Sequence, residues 1–371
     1  MEIKNIEMIS FRNHEKTNIS FHSGLTVIWG KNGSGKTSIL EAIHGLSIGK
    51  SFKTNNKKEL IKEGSASFFL KGIFKNEQEE TNTVSFSQNI LGNKKIKINE
   101  KEILKRKEML GINNVVVFSP EENEIIKGPP LERRSFFNKV FSICSPKYLE
   151  ILLSYNKILK QRNAVLKQQK NDKKKKRELY SWNEAISIYG QKLWFERNEQ
   201  IKTFKNIFKK TTKAFDKKIN IKIKSKKQNF TTKQILEKLI KNEEKDRQRG
   251  YTSFGPHKDD FVFLWNNKQI RKHGSQGENK LFLALLKITE HKYLYKKTKR
   301  KPIFLIDDMF ASLDQKRSKK LLKFIDKTQK KDFLKPQTII TTTDIIDIEK
   351  NGFFIGFNKI QKHHLTNNAI T

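Results

Sequence analysis

One eight-residue segment has the composition and spacing of a phosphate-binding loop. It consists of Gly30, Lys31, Asn32, Gly33, Ser34, Gly35, Lys36 and Thr37, which fits G-x-x-x-x-G-K-[ST] at every required position. The glycines allow successive backbone N–H groups to face one anion, and a helix that starts at the loop adds its own N–H groups. We expect the ammonium of Lys36 to act on the β- and γ-phosphates and the hydroxyl of Thr37 to hold Mg²⁺. The alternative is a glycine-rich turn without a ligand.

Two adjacent carboxylates follow an apolar run near the end of the chain. Four apolar residues at 303–306 precede Asp307 and Asp308, a pattern that indicates a buried strand ending in two acids. A phosphate loop needs such a metal-holding acid at the end of a neighbouring strand, so we predict that Asp307 holds Mg²⁺. Asp308 is then the expected catalytic base that polarises the attacking water. Alternatively, the pair caps the helix that follows.

A second possible anion site lies about 30 residues before these acids. Ser275-Gln276-Gly277-Glu278 forms a capping box, which by itself needs no ligand, but serine and glycine at a helix start also suit an anion. The order phosphate loop, insertion, S-x-G-[QE], strand with two aspartates and S-L-D at residues 312–314 is that of ATP-binding-cassette (ABC) ATPases. In that class the S-x-G segment of one subunit closes on the γ-phosphate held by the other. We therefore predict an ATP-dependent homodimer in which Ser275 and Gly277 contact the nucleotide.

Alternating strands and helices must position these groups, which predicts the α/β class. Apolar patterns predict strands at residues 6–9, 25–29, 68–74, 84–86, 115–118, 261–265, 303–306 and 338–341. Asn266-Asn267 is a turn signal, after which Ile270 is expected to begin the return strand. Helices are predicted directly after Gly35, at residues 276–294 and at residues 315–327.

The middle of the chain has a different pattern. Helical periods at residues 148–166 and 182–208 flank the basic segment 167–177, KQQKNDKKKKR, which predicts an antiparallel helical arm with a basic tip. The tip is either a solvated turn or a DNA contact. We predict an ABC-type P-loop ATPase head in two parts, residues 1–119 and 231–371, with an inserted helical lobe at residues 120–230.

Composition narrows the class of partner and the compartment. Lys and Arg number 77 against 39 Asp and Glu, a net charge of +38 that favours polyanions such as nucleic acid. Richness in Lys, Asn, Ile and Phe also fits an A/T-rich genome, which accounts for part of this excess. Cys144 is the single cysteine, so no intramolecular disulfide is possible and a reducing cytoplasm fits. With no secretion signal and no apolar run of about 20 residues, no membrane partner is expected.

Several further segments resemble those of the RecF family, bacterial recombination and gap-repair ATPases related to the heads of SMC and Rad50 proteins. They are S-F-R-N-H at residues 10–14, S-F-K-T at 51–54, F-S-P-E at 118–121, K-G-P-P at 127–130, R-R at 133–134, Q-R-N at 161–163 and T-S-F-G-P-H-K-D-D at 252–260. The last is the most specific, since no general rule for phosphate loops requires it.

This resemblance implies a two-lobed head, ATP-dependent dimerisation, slow hydrolysis and DNA binding. It also implies work with RecO and RecR to load recombinase at single-strand gaps and stalled forks, in support of the SOS response. Arg12 and Asn13 match a motif that lies beside the nucleotide in related heads. Arg133, Arg134 and the basic residues 173–177 are candidate DNA contacts.

The chain departs from related sequences at three places. Glu278 stands where the family usually has Gln, and a carboxylate near the partner's γ-phosphate would oppose closure unless it stays in its own helix cap. The switch histidine of transporter ATPases is replaced by Thr342-Thr343-Asp344. Pro120-Glu121 is the candidate for the position of the Q-loop glutamine.

Three other functions fit parts of the pattern. A transporter ATPase subunit would need LSGGQ, a Q-loop, a switch histidine and a membrane partner. An SMC- or Rad50-type DNA-bridging protein would need hundreds of residues of coiled coil, whereas Lys36 and Asp307 are only 307 − 36 = 271 residues apart. A degenerate module that binds ATP without hydrolysis is disfavoured by the intact Lys36, Thr37, Asp307 and Asp308.

Overall fold

The computed structural model describes residues 1–168, 173–226, 228–308, 320–321, 324, 336–345, 360–366 and 369–370. The strands are, in chain order, β1 (Glu2–Phe11), β2 (His14–Ser20), β3 (Leu25–Trp29), β4 (Ser67–Lys75), β5 (Thr81–Asn89), β6 (Lys94–Ile98), β7 (Lys101–Glu102), β8 (Val115–Phe118), β9 (Ile221–Ser225), β10 (Phe261–Trp265), β11 (Lys268–Gln269), β12 (Ile303–Asp307), β13 (Thr338–Thr342), β14 (Ile360–Thr366) and β15 (Ala369–Ile370). The helices are α1 (Lys36–Ile48), α2 (Glu124–Lys127), α3 (Pro130–Cys144), α4 (Pro146–Leu166), α5 (Lys173–Phe215), α6 (Thr232–Lys241), α7 (Glu243–Arg249), α8 (Ile270–His273) and α9 (Gln276–Thr298).

The chain divides into two compact units. The first contains Met1–Asn123, Ala214–Lys217 and Gly274–Thr371, and the second contains Glu124–Lys213 and Lys218–His273. The sequence predicted an insertion at residues 120–230 only. In the structure, residues 231–273 also belong to the second unit. The pairing of β9 with β10 across about 40 residues of chain accounts for the difference, since it joins residues that the sequence assigned to different segments.

A mostly parallel sheet with the order β15-β14-β3-β13-β12-β8 forms the centre of the first unit. Strands β8, β12 and β13 are buried along their whole length, as their apolar and threonine-rich sequences require for strands covered on both faces. The predicted strands at residues 25–29, 115–118, 303–306 and 338–341 are thereby confirmed. Because β3, β12 and β13 are parallel, their carboxyl ends meet at one edge of the sheet.

The first unit also contains an antiparallel sheet with the order β2-β1-β4-β5-β6-β7. Alternation along β4 buries Phe68, Leu70 and Phe74, which confirms the half-buried strands predicted at residues 68–74 and 84–86. Helix α1 contacts strands of both sheets. Its side chains Ile39, Leu40, Ile43 and Leu46, which the sequence placed on one side of the helix, are all 0% exposed within this core.

The second unit combines helices with a sheet of order β11-β10-β9. Helices α4 and α5 contact each other through Arg162 and Asn183, 2.7 Å apart, and through Arg197 and Tyr148, which confirms the predicted antiparallel helical hairpin. Residues 173–177, which the sequence placed in the turn at the tip, instead begin α5. Residues 169–172 lie outside the described residues.

The expectation that Ile270 begins a return strand is wrong. Asn266 and Asn267 do form the predicted turn, both with positive φ (47° and 65°). The return strand is only Lys268–Gln269, and Ile270 instead begins α8 with its side chain 1% exposed. Burial of that side chain at the helix start ends the pairing after two residues.

Two other sequence expectations concern the last part of the chain. Helix α9 confirms the helix predicted at residues 276–294 and extends it by four residues. The segment S-L-D at 312–314 and most of the helix predicted at 315–327 lie outside the described residues. Within the described part of the chain, no helix is long and apolar enough to cross a bilayer.

Candidate nucleotide-binding site

The phosphate loop connects the end of β3 to the start of α1 and depends on glycine at two close approaches. Gly30 and Gly35 have φ of 155° and 99°. A Cβ atom at Gly30 would lie 2.3 Å from the carbonyl oxygen of Leu365, and one at Gly35 would lie 2.4 Å from Nε2 of His14. Both positions therefore require glycine, and the backbone of the loop is fixed by its neighbours.

Lys36 lies across the loop. Its side chain is 7% exposed, and Nζ donates to the carbonyl oxygens of Gly30 (2.7 Å) and Lys31 (2.8 Å). Burial lowers the pKa of the ammonium below its ordinary value, while the charges of Asp308 and Asp307 oppose this shift. The ammonium is thus held at the loop, where two carbonyl oxygens accept its hydrogen bonds and the carboxylates of Asp307 and Asp308 oppose its charge.

Thr37 and Asp307 meet at the carboxyl edge of the parallel sheet. Thr37 Oγ1 donates to Asp307 Oδ1 (3.0 Å), which also accepts from Thr341 Oγ1 (2.6 Å). Burial raises the pKa of the Asp307 carboxyl, the two threonine hydrogen bonds lower it, and the charges of Glu121 and Asp308 raise it. A hydroxyl and a carboxylate beside a phosphate loop are the oxygen ligands that Mg²⁺ takes together with nucleotide phosphates, so this pair fits the metal.

Asp308 follows directly with a strained backbone. Its φ is 40°, and its N–H donates to the carbonyl oxygen of Thr341 (3.1 Å). Burial raises the pKa of the Asp308 carboxyl, and the charge of Lys36 opposes the shift. The positive φ turns the chain immediately after β12 and leaves the carboxylate in the wall of the cavity described next.

A cavity of about 780 Å³ joins most of the predicted site residues. Its walls contain Arg12, Asn13, Asn32, Gly33, Gly35, Lys36, Thr37, Asp307 and Asp308, together with Ser38, Lys53, Glu59, Lys62 and Glu63. Lys31 and Ser34 line a second cavity of about 660 Å³ that shares Asn13, Asn32 and Gly33. The first cavity has the size of a small-molecule site.

Arg12 and Asn13 lie in the turn between β1 and β2. The guanidinium of Arg12 forms a two-point ion pair with Glu41, each contact 2.8 Å, and donates to the carbonyl oxygen of Glu59. Asn13 Nδ2 donates to the carbonyl oxygen of Gly33 (3.0 Å). Both residues line the cavity as the sequence suggested, but most of the donors of Arg12 are already used by protein groups.

Sequence reasoning missed two partners of this arrangement. Glu41 is 1% exposed on α1, and it accepts from Ser51 Oγ as well as from Arg12. Thr341, which orients Asp307, lies in the threonine run at the end of β13. The threonine run could have indicated a contact with Asp307, because parallel strands bring their carboxyl ends together. No comparable sequence pattern indicates the role of Glu41.

Ser275, Gly277 and Glu278 lie elsewhere in the first unit. Ser275 Oγ accepts from the N–H of Glu278 (3.2 Å), and the Glu278 carboxylate accepts from the N–H of Ser275 (2.8 Å). This is the predicted capping box at the start of α9. Neither Ser275 nor Gly277 lines the two cavities at the phosphate loop.

The suggested DNA contact at Arg133 is wrong. Its side chain is 4% exposed and forms a two-point ion pair with Asp260 (2.9 and 3.1 Å). Arg134 donates to the carbonyl oxygen of Asp259 (2.8 Å). A buried guanidinium paired with a carboxylate has no charge left for a phosphate.

Known proteins resemble this chain over most of its length. The family model for the RecF/RecN/SMC N-terminal domain matches residues 2–364. The DNA replication and repair protein RecF of Clostridium novyi is 35% identical over 355 residues, 94% of this chain and 95% of the relative. RecF of Clostridioides difficile is 33% identical and covers 89% of this chain and 90% of its own.

Solved structures give the same result. The recombination mediator protein RecF with ATP, from the RecFOR pathway, superposes with a TM-score of 0.87 at 30% identity, covering 100% of this chain and 96% of that one. The Smc head domain of Pyrococcus furiosus matches at 18% identity with a TM-score of 0.58, which is a likeness of fold alone. The predicted fold class, an ABC-type ATPase head with a helical arm, is confirmed. The chain belongs to the RecF family of the RecF/RecN/SMC proteins.

Proposed function

We propose that this chain binds Mg²⁺ and ATP at residues 30–37 and uses the nucleotide to control its grip on DNA during recombinational repair and gap maintenance. One observation carries the proposal: the hydroxyl of Thr37 faces the buried carboxylate of Asp307 beside a phosphate loop in which Gly30 and Gly35 leave no room for a side chain. A glycine-rich turn that binds no ligand would not need a buried carboxylate such as Asp307 beside it. The family relatives are named for DNA replication and repair, which supports the biological setting.

Each side chain has a proposed task in the ATP complex. Lys36 exchanges its loop carbonyls for the β- and γ-phosphate oxygens, and Thr37 and Asp307 hold Mg²⁺, which neutralises charge on the phosphates. Asp308 polarises the attacking water, and its raised pKa makes it a stronger base than an ordinary surface aspartate. Asn13 anchors the loop, and the Arg12–Glu41 pair supports one wall of the cavity. Hydrolysis is slow and serves as a switch.

Dimerisation is the second part of the proposal. Ser275 and Gly277 sit at the N-terminus of α9, where backbone N–H groups favour an anion. We propose that a second copy brings these residues to the γ-phosphate, so that ATP joins two heads and hydrolysis releases them.

The replacement of Gln by Glu278 gives a test of this dimer. The Glu278 carboxylate is held in its own cap, and a glutamine can accept the same hydrogen bond without the negative charge. Glu278→Gln is expected to tighten the ATP-dependent dimer several-fold while leaving the helix cap intact, as measured by sedimentation with and without ATP. An unchanged dimerisation constant would show that this side chain does not approach the γ-phosphate.

The proposed partners are DNA, RecO and RecR, within the cytoplasm. The net charge of +38 favours contacts to phosphates, and a solved relative belongs to the RecFOR pathway. The exposed basic residues Lys173, Lys174, Lys176 and Arg177 on α5 remain candidate DNA contacts. Mostly electrostatic contacts imply little sequence preference and a steep dependence on salt.

The deciding experiment measures DNA affinity against salt concentration, with and without ATP. Wild type is compared with Lys36→Ala and with Lys16→Ala, which removes the same charge from an exposed position on β2. ATP should change the DNA affinity of wild type and Lys16→Ala but not of Lys36→Ala. An identical ATP response in Lys36→Ala would refute the nucleotide mechanism, and no DNA binding at low salt would refute the functional class.

A further inference from the structure

A buried histidine contacts the phosphate loop from the neighbouring hairpin. His14 begins β2 and is 0% exposed. Its Nε2 lies 3.1 Å from the carbonyl oxygen of Gly35, and its Nδ1 lies 3.0 Å from Thr17 Oγ1. None of the phosphate chemistry described above uses this side chain, so its polar contacts need an explanation.

The partners determine which ring nitrogen carries the proton. A carbonyl oxygen can only accept, so Nε2 must be the N–H that donates to Gly35. Nδ1 is then the acceptor, and it receives the hydroxyl proton of Thr17. Burial lowers the pKa of His14, which keeps this neutral form over the working pH range. Thr17, which is 5% exposed, therefore holds the imidazole in the tautomer that donates to the loop.

The Gly35 carbonyl matters because of the N–H attached to the same peptide group. The chain has no cis peptide bond among the described residues, so the N–H of Lys36 points opposite to the carbonyl of Gly35. That N–H belongs to the first turn of α1, where donors face an anion at the helix start. The other donor to this carbonyl, the N–H of Ile39, is 3.3 Å away. His14 therefore holds the carbonyl from a second direction.

We propose that His14 is a positioning residue of the phosphate loop: by holding the Gly35 carbonyl, it directs the Lys36 N–H toward the phosphates of the nucleotide. This inference rests on the proposed ATP site. Asn13, which directly precedes His14 in the hairpin turn, supports the same arrangement. Its Nδ2 donates to the carbonyl oxygen of Gly33 at 3.0 Å. The turn thus fixes two peptide groups of the loop with adjacent side chains.

Two amide substitutions separate positioning from simple core packing. The side-chain nitrogen of glutamine can reach the place of Nε2, whereas that of asparagine reaches only the place of Nδ1. His14→Gln therefore keeps the hydrogen bond to Gly35, and His14→Asn loses it, with the same chemical group in both variants. If His14 only fills space, nucleotide affinity should follow the thermal stability of the variants and not the reach of the donor.

The experiment titrates a fluorescent ATP analogue with Mg²⁺ into wild type, His14→Gln, His14→Asn and Lys36→Ala. We expect His14→Gln to bind within about threefold of wild type and His14→Asn to bind about tenfold more weakly, the size of one hydrogen bond left unmade. Melting temperatures without nucleotide are measured in parallel. Equal affinity of the Gln and Asn variants, or affinity that simply tracks melting temperature, overturns the proposal.

Two further outcomes keep the inference distinct from the proposed function. If wild type fails to bind the analogue, the proposed ATP site is wrong, whereas equal binding by both His14 variants leaves that site intact and removes only the role of His14. Should His14→Asn fail to fold, Thr17→Val replaces it, because this variant keeps the imidazole and removes the hydroxyl that orients it. We expect it to weaken binding about threefold, and unchanged affinity would overturn the proposal.

Discussion

Thr341→Val would remove one hydrogen-bond donor to Asp307, the predicted metal ligand, while nearly preserving the shape of the side chain at position 341. The Thr341 side chain is 1% exposed, and its hydroxyl makes the shorter of the two threonine hydrogen bonds to Asp307, 2.6 Å against 3.0 Å from Thr37. Valine has nearly the same outline, so the variant opens no sizeable cavity. The change therefore acts on the charge and orientation of the Asp307 carboxylate.

The size of the effect follows from the burial of that carboxylate. A hydrogen bond to a charged group contributes about 1.5–3 kcal/mol, which corresponds to roughly tenfold to hundredfold in an equilibrium constant. Burial already raises the pKa of Asp307, and the threonine bonds lower it, so loss of Thr341 raises the pKa further. Because Mg²⁺ requires the charged form, we expect the affinity for Mg²⁺ and ATP to fall by up to about this factor, with the full loss reached only at low pH, where the Asp307 carboxyl is protonated.

The assay titrates ATP at fixed Mg²⁺ and Mg²⁺ at fixed ATP over a series of pH values. A carboxyl with a raised pKa loses its charge as pH falls, and it does so earlier in Thr341→Val than in wild type. The deficit of the variant should therefore grow as the pH is lowered and shrink as it is raised.

Thr338→Val is the matched control. Thr338 lies on the same strand and is 0% exposed, but its hydroxyl donates to the carbonyl oxygen of Pro336 (3.3 Å) and not to a carboxylate. It should bind Mg²⁺ and ATP like wild type. Equal affinities for Thr341→Val, Thr338→Val and wild type would refute the view that Thr341 prepares Asp307 for the metal.

The second unit gives two further predictions. Arg162→Met should destabilise this unit by about 3–5 kcal/mol in urea unfolding, because it leaves Asp246 buried without its 2.8 Å ion-pair partner, both side chains being 0% exposed. ATP affinity should not change, and the double variant with Asp246→Leu should recover most of the loss; no recovery would contradict the ion-pair explanation. Burial lowers the pKa of His257 to about 4, so the neutral ring contributes stability that is complete above about pH 6.5 and is lost as pH falls toward 4. That contribution is about 3 kcal/mol, and His257→Gln should flatten the unfolding profile over this range, whereas an equally steep profile would count against the assignment.

The parts of the site that the sequence predicts are local patterns. The phosphate loop, the strand before Asp307 and the cap at Ser275 are each contained in fewer than ten residues, and each pattern has a physical cause that acts over that distance. The burial of Ile39, Leu40, Ile43 and Leu46 on α1 was also predictable from one segment of chain, although residues 39–47 are all buried and the helix has no single apolar face.

The parts that the sequence could not predict depend on contacts between distant residues. Glu41 joins Arg12, 29 residues away, to Ser51, and nothing in the local sequence distinguishes it from a solvent-facing glutamate on a helix. The extent of the second unit likewise depends on strand pairing between residues 221–225 and 261–265. Ile270 was misassigned because a hairpin turn predicts where a return strand starts but not where it ends.

The segment at residues 252–260, the most specific family feature of the sequence, contributes mainly to the packing of the second unit. Thr252 accepts from Arg162 (2.7 Å), Asp259 accepts from Arg197 (2.6 Å) and from Trp194, and Asp260 holds Arg133. Arg162 and Arg197 are almost fully buried, so each would be strongly destabilising without these partners. The polar residues of this segment resemble an active site, but they serve as hydrogen-bond and ion-pair partners of three buried guanidinium groups, those of Arg133, Arg162 and Arg197. The polar residues of this segment therefore follow from the cost of burying charge, whereas the proposed nucleotide chemistry is assigned to the loop at residues 30–37 and the acids after β12.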